Sequence, residues 1–150
     1  MKNYFQKILN SKIPLTKHMG VKVKKIDSTE TVLEMPLHLN KNHQETAFGG
    51  SLASAAMLCG WCTLMFFLLQ RDLDSPRVVL ADARNQFLAP VEGDFEAVCR
   101  PSEEELINFY YKLIARGKAS IALDISIFCG GKEAVKMSGV YVAFLGGFGP

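Results

Sequence analysis

Several residues in this sequence have types and spacings that could support chemistry. Cys59 and Cys62 stand three apart in "AMLCGWCTLMFFLL", the spacing of a thiol–disulfide pair. Asn42 and His43 lie in the polar stretch "NKNHQETAFGG". A histidine there could act as a base near neutral pH, and an amide beside it could orient a water or hydrogen-bond a carbonyl. Phe48, Gly49, Gly50 and Ser51 follow, just ahead of a long apolar run. Glycines let backbone approach a ligand closely, and the unpaired amides at the start of a helix can polarise a carbonyl and hold an oxyanion. Each residue also has a plain structural alternative: a solvated loop histidine, a turn asparagine, a tight start to a helix.

The cysteine pair fails as a redox site. A redox CxxC depends on a helix N-terminus that lowers the pKa of its first sulfur. Here the helix begins about ten residues earlier, so both thiols fall in mid-helix between apolar neighbours, where a thiolate is disfavoured. No second CxxC or His pair supplies the remaining ligands of a zinc site. The four cysteines read as small hydrophobes kept as thiols in a reducing compartment.

The elements that position these residues are legible from periodicity. Residues 4–13 carry apolar side chains at spacings of three and four, a short amphipathic helix that Pro14 stops. Two alternating strands follow, from Met19 and from Leu33 to Leu39, joined by "DSTE"; Pro36 lacks an amide proton and places the second strand at an edge or a bulge. Thr46 to Gln70 carries no charge. That run is long enough to span a bilayer, but it opens with glycines and serines and sits among alternating strands that need a core partner. It reads as a helix wrapped by the rest of the protein.

Residues 77–90 alternate again, with Val79, Ala81, Ala83, Asn85 and Phe87 on one face and Asp82 and Arg84 on the other. Asn85, a polar group on an apolar face, needs a partner, a water or a substrate. Asp82 is the nearest carboxylate. "GDFEAVCR" is a short strand, and "PSEEELINFYYKLIAR" carries a capping box at Ser102 and Glu105. "KASIALDISIFC" and "AVKMSGVYVAFL" form a hairpin through "GGKE".

Residues 1–150 therefore make one α+β domain in which an antiparallel sheet of five or six strands curls around one long buried helix. The net charge of +2 and the dispersed lysines exclude a basic nucleic-acid stripe. The N-terminus lacks the pattern of a secretory signal, which points to the cytoplasm.

Taken together, "NKNHQETAFGGSLASAAMLCGW", "FLAPVEGDFEA" and "RGKASIALDISIF" resemble the hotdog-fold acyl-thioesterases, most closely the small ones related to a domain fused to acetyltransferases. The resemblance implies hydrolysis of acyl-CoA or acyl-carrier-protein thioesters, with coenzyme A entering only as part of the substrate, no other cofactor and no metal. It implies catalytic roles for His43, Asn42 or Asp82, a thioester carbonyl held near Phe48, Gly49, Gly50 and Ser51, and substrate contacts from Asn85, Arg116 and Lys118. It also implies a homodimer or dimer of dimers with sheets joined edge to edge, the acyl chain lying between the central helix and the partner chain, and neither nucleic acid nor membrane as partner. One departure stands out. Many members carry a carboxylate about two turns into the central helix, where this chain has Met57. A non-hydrolytic acyl-thioester-binding protein, or a hydratase or dehydratase of the same fold, is the alternative.

Overall fold

The computed structural model describes residues 1–73 and 75–146. The chain opens with helices α1 (Lys2–Lys12) and α2 (Leu15–His18), then strands β1 (Lys22–Ile26) and β2 (Thr31–Met35). After a 3-10 turn at Leu37–Leu39 comes α3 (Gly49–Leu69), followed by β3 (Arg77–Phe87), β4 (Phe95–Cys99), α4 (Glu103–Arg116), β5 (Lys118–Cys129) and β6 (Lys132–Phe144). All six strands join one antiparallel sheet in the order β1-β2-β4-β5-β6-β3.

The sheet curls around α3. Leu52, Ala55, Ala56, Cys59, Cys62, Leu64 and Leu68 of the helix are buried against Leu33, Met35, Ala97, Ile125, Ile127 and Met137 of the strands. The helix is apolar enough by composition to cross a membrane, with a mean hydropathy of 2.0, yet just over half of it is buried inside the protein. It is the core helix that the wrapped-helix reading requires. Tyr141 on β6 fixes its height above the sheet. The ring lies between Gly60 and Gly139, where added Cβ atoms would meet Tyr141 at 2.2 and 2.9 Å, and its hydroxyl donates to the Met57 carbonyl at 2.7 Å.

Two expectations change. β2 lies between β1 and β4 instead of at an edge, because the strand stops at Met35 and Pro36 falls just beyond it, where its missing amide costs no ladder bond. The alternation of β3 breaks at a bulge between Leu80 and Asp82. The extra residue, Ala81, shifts the pleat, so Val78 and Leu80 share the helix-facing side with Ala83 and Asn85, while Val79 is exposed. Phe66 packs on Phe5 and Phe67 on Tyr110, joining α3 to α1 and α4.

The two outer strands are treated differently. Along β1 the Gln6 side chain of α1 supplies both halves of a strand partner, its Nε2 donating to the Val21 carbonyl at 2.9 Å and its Oε1 accepting from the Val23 amide at 2.7 Å. β3, the strand at the other end of the sheet, has no neighbour beyond it among the described residues. An open edge of this length invites pairing.

Candidate active site

The site is built at the start of α3. Phe48 is the N-cap in extended conformation, and its side chain makes no capping bond. The first amides of the helix therefore have neither an intrahelical acceptor nor a side-chain cap, and the helix dipole concentrates positive potential there. The glycines carry no side chain to obstruct these amides. Two aromatic rings flank them instead: the Phe48 ring folds over Gly50, and the Phe87 ring of β3 lies 3.8 Å from where a Cβ of Gly49 would be. Both rings are more than half exposed.

The loop before the helix is held by asparagines. Asn40, 2% exposed, donates from Nδ2 to the Met19 and Pro36 carbonyls, each at 2.8 Å, and its own carbonyl receives the Phe48 amide at 2.7 Å. It thereby ties the start of α3 to the chain on either side of the β1-β2 hairpin. In the sequence Asn40 is one polar residue at the start of a polar loop, with no spacing that singles it out. Asn42 spends its side chain inside its own loop: Oδ1 accepts from the Gln44 and Thr46 amides, and Nδ2 donates to the Thr46 hydroxyl. His43 is exposed at the tip of that loop. Glu45 closes the loop with a positive φ of 62° and an ion pair to Lys41.

Asn85 lies two residues from Phe87 on the helix-facing side of β3. Its Oδ1 is buried and has no hydrogen-bond partner, so a donor from a water or a ligand would satisfy it. Asp82 is exposed on the opposite face of the sheet, paired in register with Val140. Met57, about two turns into α3, is half-buried and packs against the core. Ser51 is half-buried in the first helical turn.

Arg116 and Lys118 lie elsewhere. Lys118 and Arg77 are both in register with Phe144, whereas Phe87 is in register with Val135 at the other end of β6. At the rise of a strand that separates Lys118 from the glycine pair by about 30 Å within one chain. Arg116, Lys118 and Lys112 line a cleft of about 490 Å³ at their end of the sheet. The fold thus gathers Phe48, Gly49, Gly50, Ser51 and Asn85, leaves His43 exposed in the loop before α3, and holds Asp82, Arg116 and Lys118 apart.

Cys59, Cys62 and Cys99 are buried free thiols. Cys59 and Cys62 have no exposure, and burial pushes both thiols well up from their ordinary range. Cys99 is pushed up to about 11 by the same cause. The Cys59 thiol donates to the Thr31 and Ala97 carbonyls.

Residues 2–145 match the model of the family described as "Putative thioesterase (yiiD_Cterm)". A protein of unknown function from Chlorobaculum tepidum superposes with a TM-score of 0.89 at 29% identity, over 97% of this chain and 94% of that one. A "putative thioesterase" from Shewanella oneidensis gives 0.82 at 28% identity, over 95% and 96% of the two chains. A thioesterase from Haemophilus influenzae shares the fold, with a TM-score of 0.70 at 17% identity over 93% and 87%. The helix-wrapping sheet is the hotdog fold of these proteins.

Proposed function

Because this chain belongs to the yiiD_Cterm thioesterase family, we propose that it hydrolyses acyl thioesters of coenzyme A or an acyl carrier protein at the Gly49–Gly50 end of α3. The observation that carries this reading is the uncapped, glycine-lined start of a buried helix of 21 residues. When water attacks the thioester carbonyl, negative charge develops on its oxygen, and the free amides of the first turn stabilise that charge more than they stabilise the neutral carbonyl. The new carbon–oxygen bond forms, the carbon–sulfur bond breaks, and the proton removed from water passes to the departing thiolate.

Asn85 fits the task of orienting that water, since its buried oxygen lacks a donor. His43 serves as the base in this proposal, with Asn42 shaping the loop that presents it. Asp82, on the far face of the sheet, is the alternative base. The reaction so drawn uses only groups of this chain and needs no cofactor beyond the carrier of the substrate. Four free thiols accord with a cytoplasmic setting.

We further propose that the working unit contains two copies paired along β3. Gln6 blocks the edge of β1, whereas β3 is open and exposes Val79 and Phe87. Beside it the uncovered side of α3 presents Met57, Leu58, Trp61 and Met65, all half-buried. A two-fold axis pairing β3 with its mate in antiparallel fashion would bring the Arg77 end of one copy beside the Phe87 end of the other. Arg116 and Lys118 of the mate would then approach the glycine pair and meet the phosphates of the carrier.

The test incubates the protein with acyl-CoAs and with an acylated carrier protein and measures the free thiol. Turnover that His43→Ala abolishes and Asp82→Asn leaves intact is the expected result; the reverse pattern moves the base to Asp82. Saturable binding without turnover would favour the acyl-binding alternative, which the methionine at position 57 specifically supports.

A further inference from the structure

We propose that the cavity at the C-terminal end of α3 is a second ligand site, which binds a small monocarboxylate with an apolar body at Arg71. The cavity, about 520 Å³, opens between the last turns of α3, the β1-β2 turn and the start of α4. That volume falls within the roughly 300–1,000 Å³ of small-molecule sites. Phe66, on its wall, lies seventeen residues past Gly49, about 25 Å along the helix. The cavity is therefore separate from the glycine pair, and the inference does not depend on the chemistry assigned there.

The floor is apolar. Phe67 and Leu106 are buried and Phe66 is half-buried. Thr63, the buried polar side chain of the lining, commits its hydroxyl to the Cys59 carbonyl at 2.9 Å. Arg71 stands over this floor in a fixed pose. Its guanidinium carbon lies 3.5 Å from the centre of the Phe67 ring and 5.4 Å from that of Tyr110, and its Nη1 donates to the Phe67 carbonyl at 2.9 Å. That bond completes the end of a helix whose last turn carries no basic residue. It leaves Nε–H and Nη2–H, the side-on edge of the guanidinium, without a protein acceptor among the described residues. A carboxylate accepts from both at once. Because the rings already hold the guanidinium, little side-chain freedom is lost when it does.

The two carboxylates of the lining do not fill that place. Asp27 is turned into its own loop, where it accepts from the Thr29 amide at 2.8 Å, the Thr29 hydroxyl at 2.7 Å and the Glu30 amide at 3.0 Å, and it pairs with Lys25 at 3.3 Å. Glu103 is exposed in the first turn of α4, where water and salt screen it. Arg71 is the one cation of the lining among the described residues. A single guanidinium edge matches one carboxylate better than a phosphate dianion, and Phe66 and Leu106 beside it favour an acid with an apolar body.

Calorimetry with octanoate, octylammonium and octanol, equal in length, reads the chemistry of the site. Octanoate is expected to bind saturably, with octanol weaker by roughly tenfold or more and octylammonium not binding. Backbone amide NMR shifts on adding octanoate are expected at Phe66, Gln70, Arg71 and Leu106 and not at Gly49 and Gly50. Arg71→Gln is expected to weaken octanoate by roughly tenfold or more and to leave octanol unchanged. No saturable binding of octanoate, octylammonium binding as well as octanoate, shifts confined to the glycine pair, or an unchanged octanoate affinity in a folded Arg71→Gln would overturn the assignment. All of these are read without turnover, so a protein that binds octanoate at Arg71 but cleaves no thioester keeps this site and loses only the hydrolytic reading.

Discussion

At the level of single residues, Asn85 separates function from stability. Its buried Oδ1 gains no hydrogen bond from the folded chain, and an unmet buried acceptor costs about 1–3 kcal/mol. Asn85→Leu should therefore leave the fold as stable or stabilise it by about 1 kcal/mol in urea unfolding, while thioester turnover falls at least tenfold. A loss of stability equal to the loss of activity would show that Asn85 is a packing residue. The buried thiols make a second prediction. Cys99 titrates at about 11 in the fold against an ordinary 9.0, and Cys59, Cys62 and Tyr141 are raised as well. Above pH 9 the unfolded chain releases protons that the folded chain keeps, so the folded state loses stability as pH rises from about 9 to about 11. Denaturation midpoints measured across that window should fall, and fall less in Cys99→Val.

At the level of elements, the decisive contacts are close approaches that the periodic pattern does not announce. Gly60 reads as a weak point in a long helix, but a Cβ there would lie 2.2 Å from the Tyr141 hydroxyl. Gly60→Ala should cost about 1–3 kcal/mol by overpacking, although alanine is the better helix former. An exposed helical glycine would give the opposite sign, which makes the direction of change the measurement of interest. The capping box of α4 behaves as its sequence suggests: the Ser102 hydroxyl accepts from the Glu105 amide, and Gly117 ends the helix with a left-handed φ of 70°. Ser102→Ala should lower stability by about 1 kcal/mol with turnover unchanged, as read from thermal melts and an activity assay.

For the whole molecule, the two sheet edges are treated unequally. Gln6 occupies one edge with two hydrogen bonds, and the other carries the bulge at Ala81. Ala81→Lys places a cation near the middle of the open edge, so that two copies related by a two-fold axis would bring like charges together. Light scattering should find the wild-type protein as a dimer and the variant as a monomer, with turnover reduced because Arg116 and Lys118 of a second copy no longer reach the glycine pair. A monomeric wild-type protein with full activity would refute both the pairing and the shared site.

By itself the sequence determined the order of the longer elements, though not the short helix α2 or the 3-10 turn at Leu37–Leu39, together with the identity of the core helix, the cap of α4 and the inertness of the CxxC pair. Those follow from local periodicity, from capping chemistry and from the cost of ionising a thiol in mid-helix, none of which needs distant residues. Only the tertiary structure decided which faces and neighbours count. A single unpaired residue at Ala81 reversed the faces of half of β3, and alternation alone cannot foresee a bulge. The anchoring of the α3 start by Asn40, the Tyr141 slot between two glycines, the bridge from Trp61 to Val78 and the separation of Lys118 from Gly49 all join residues far apart in sequence. Such pairings are set by strand register and by the height of the helix above the sheet, quantities that exist only once the chain has closed around its core.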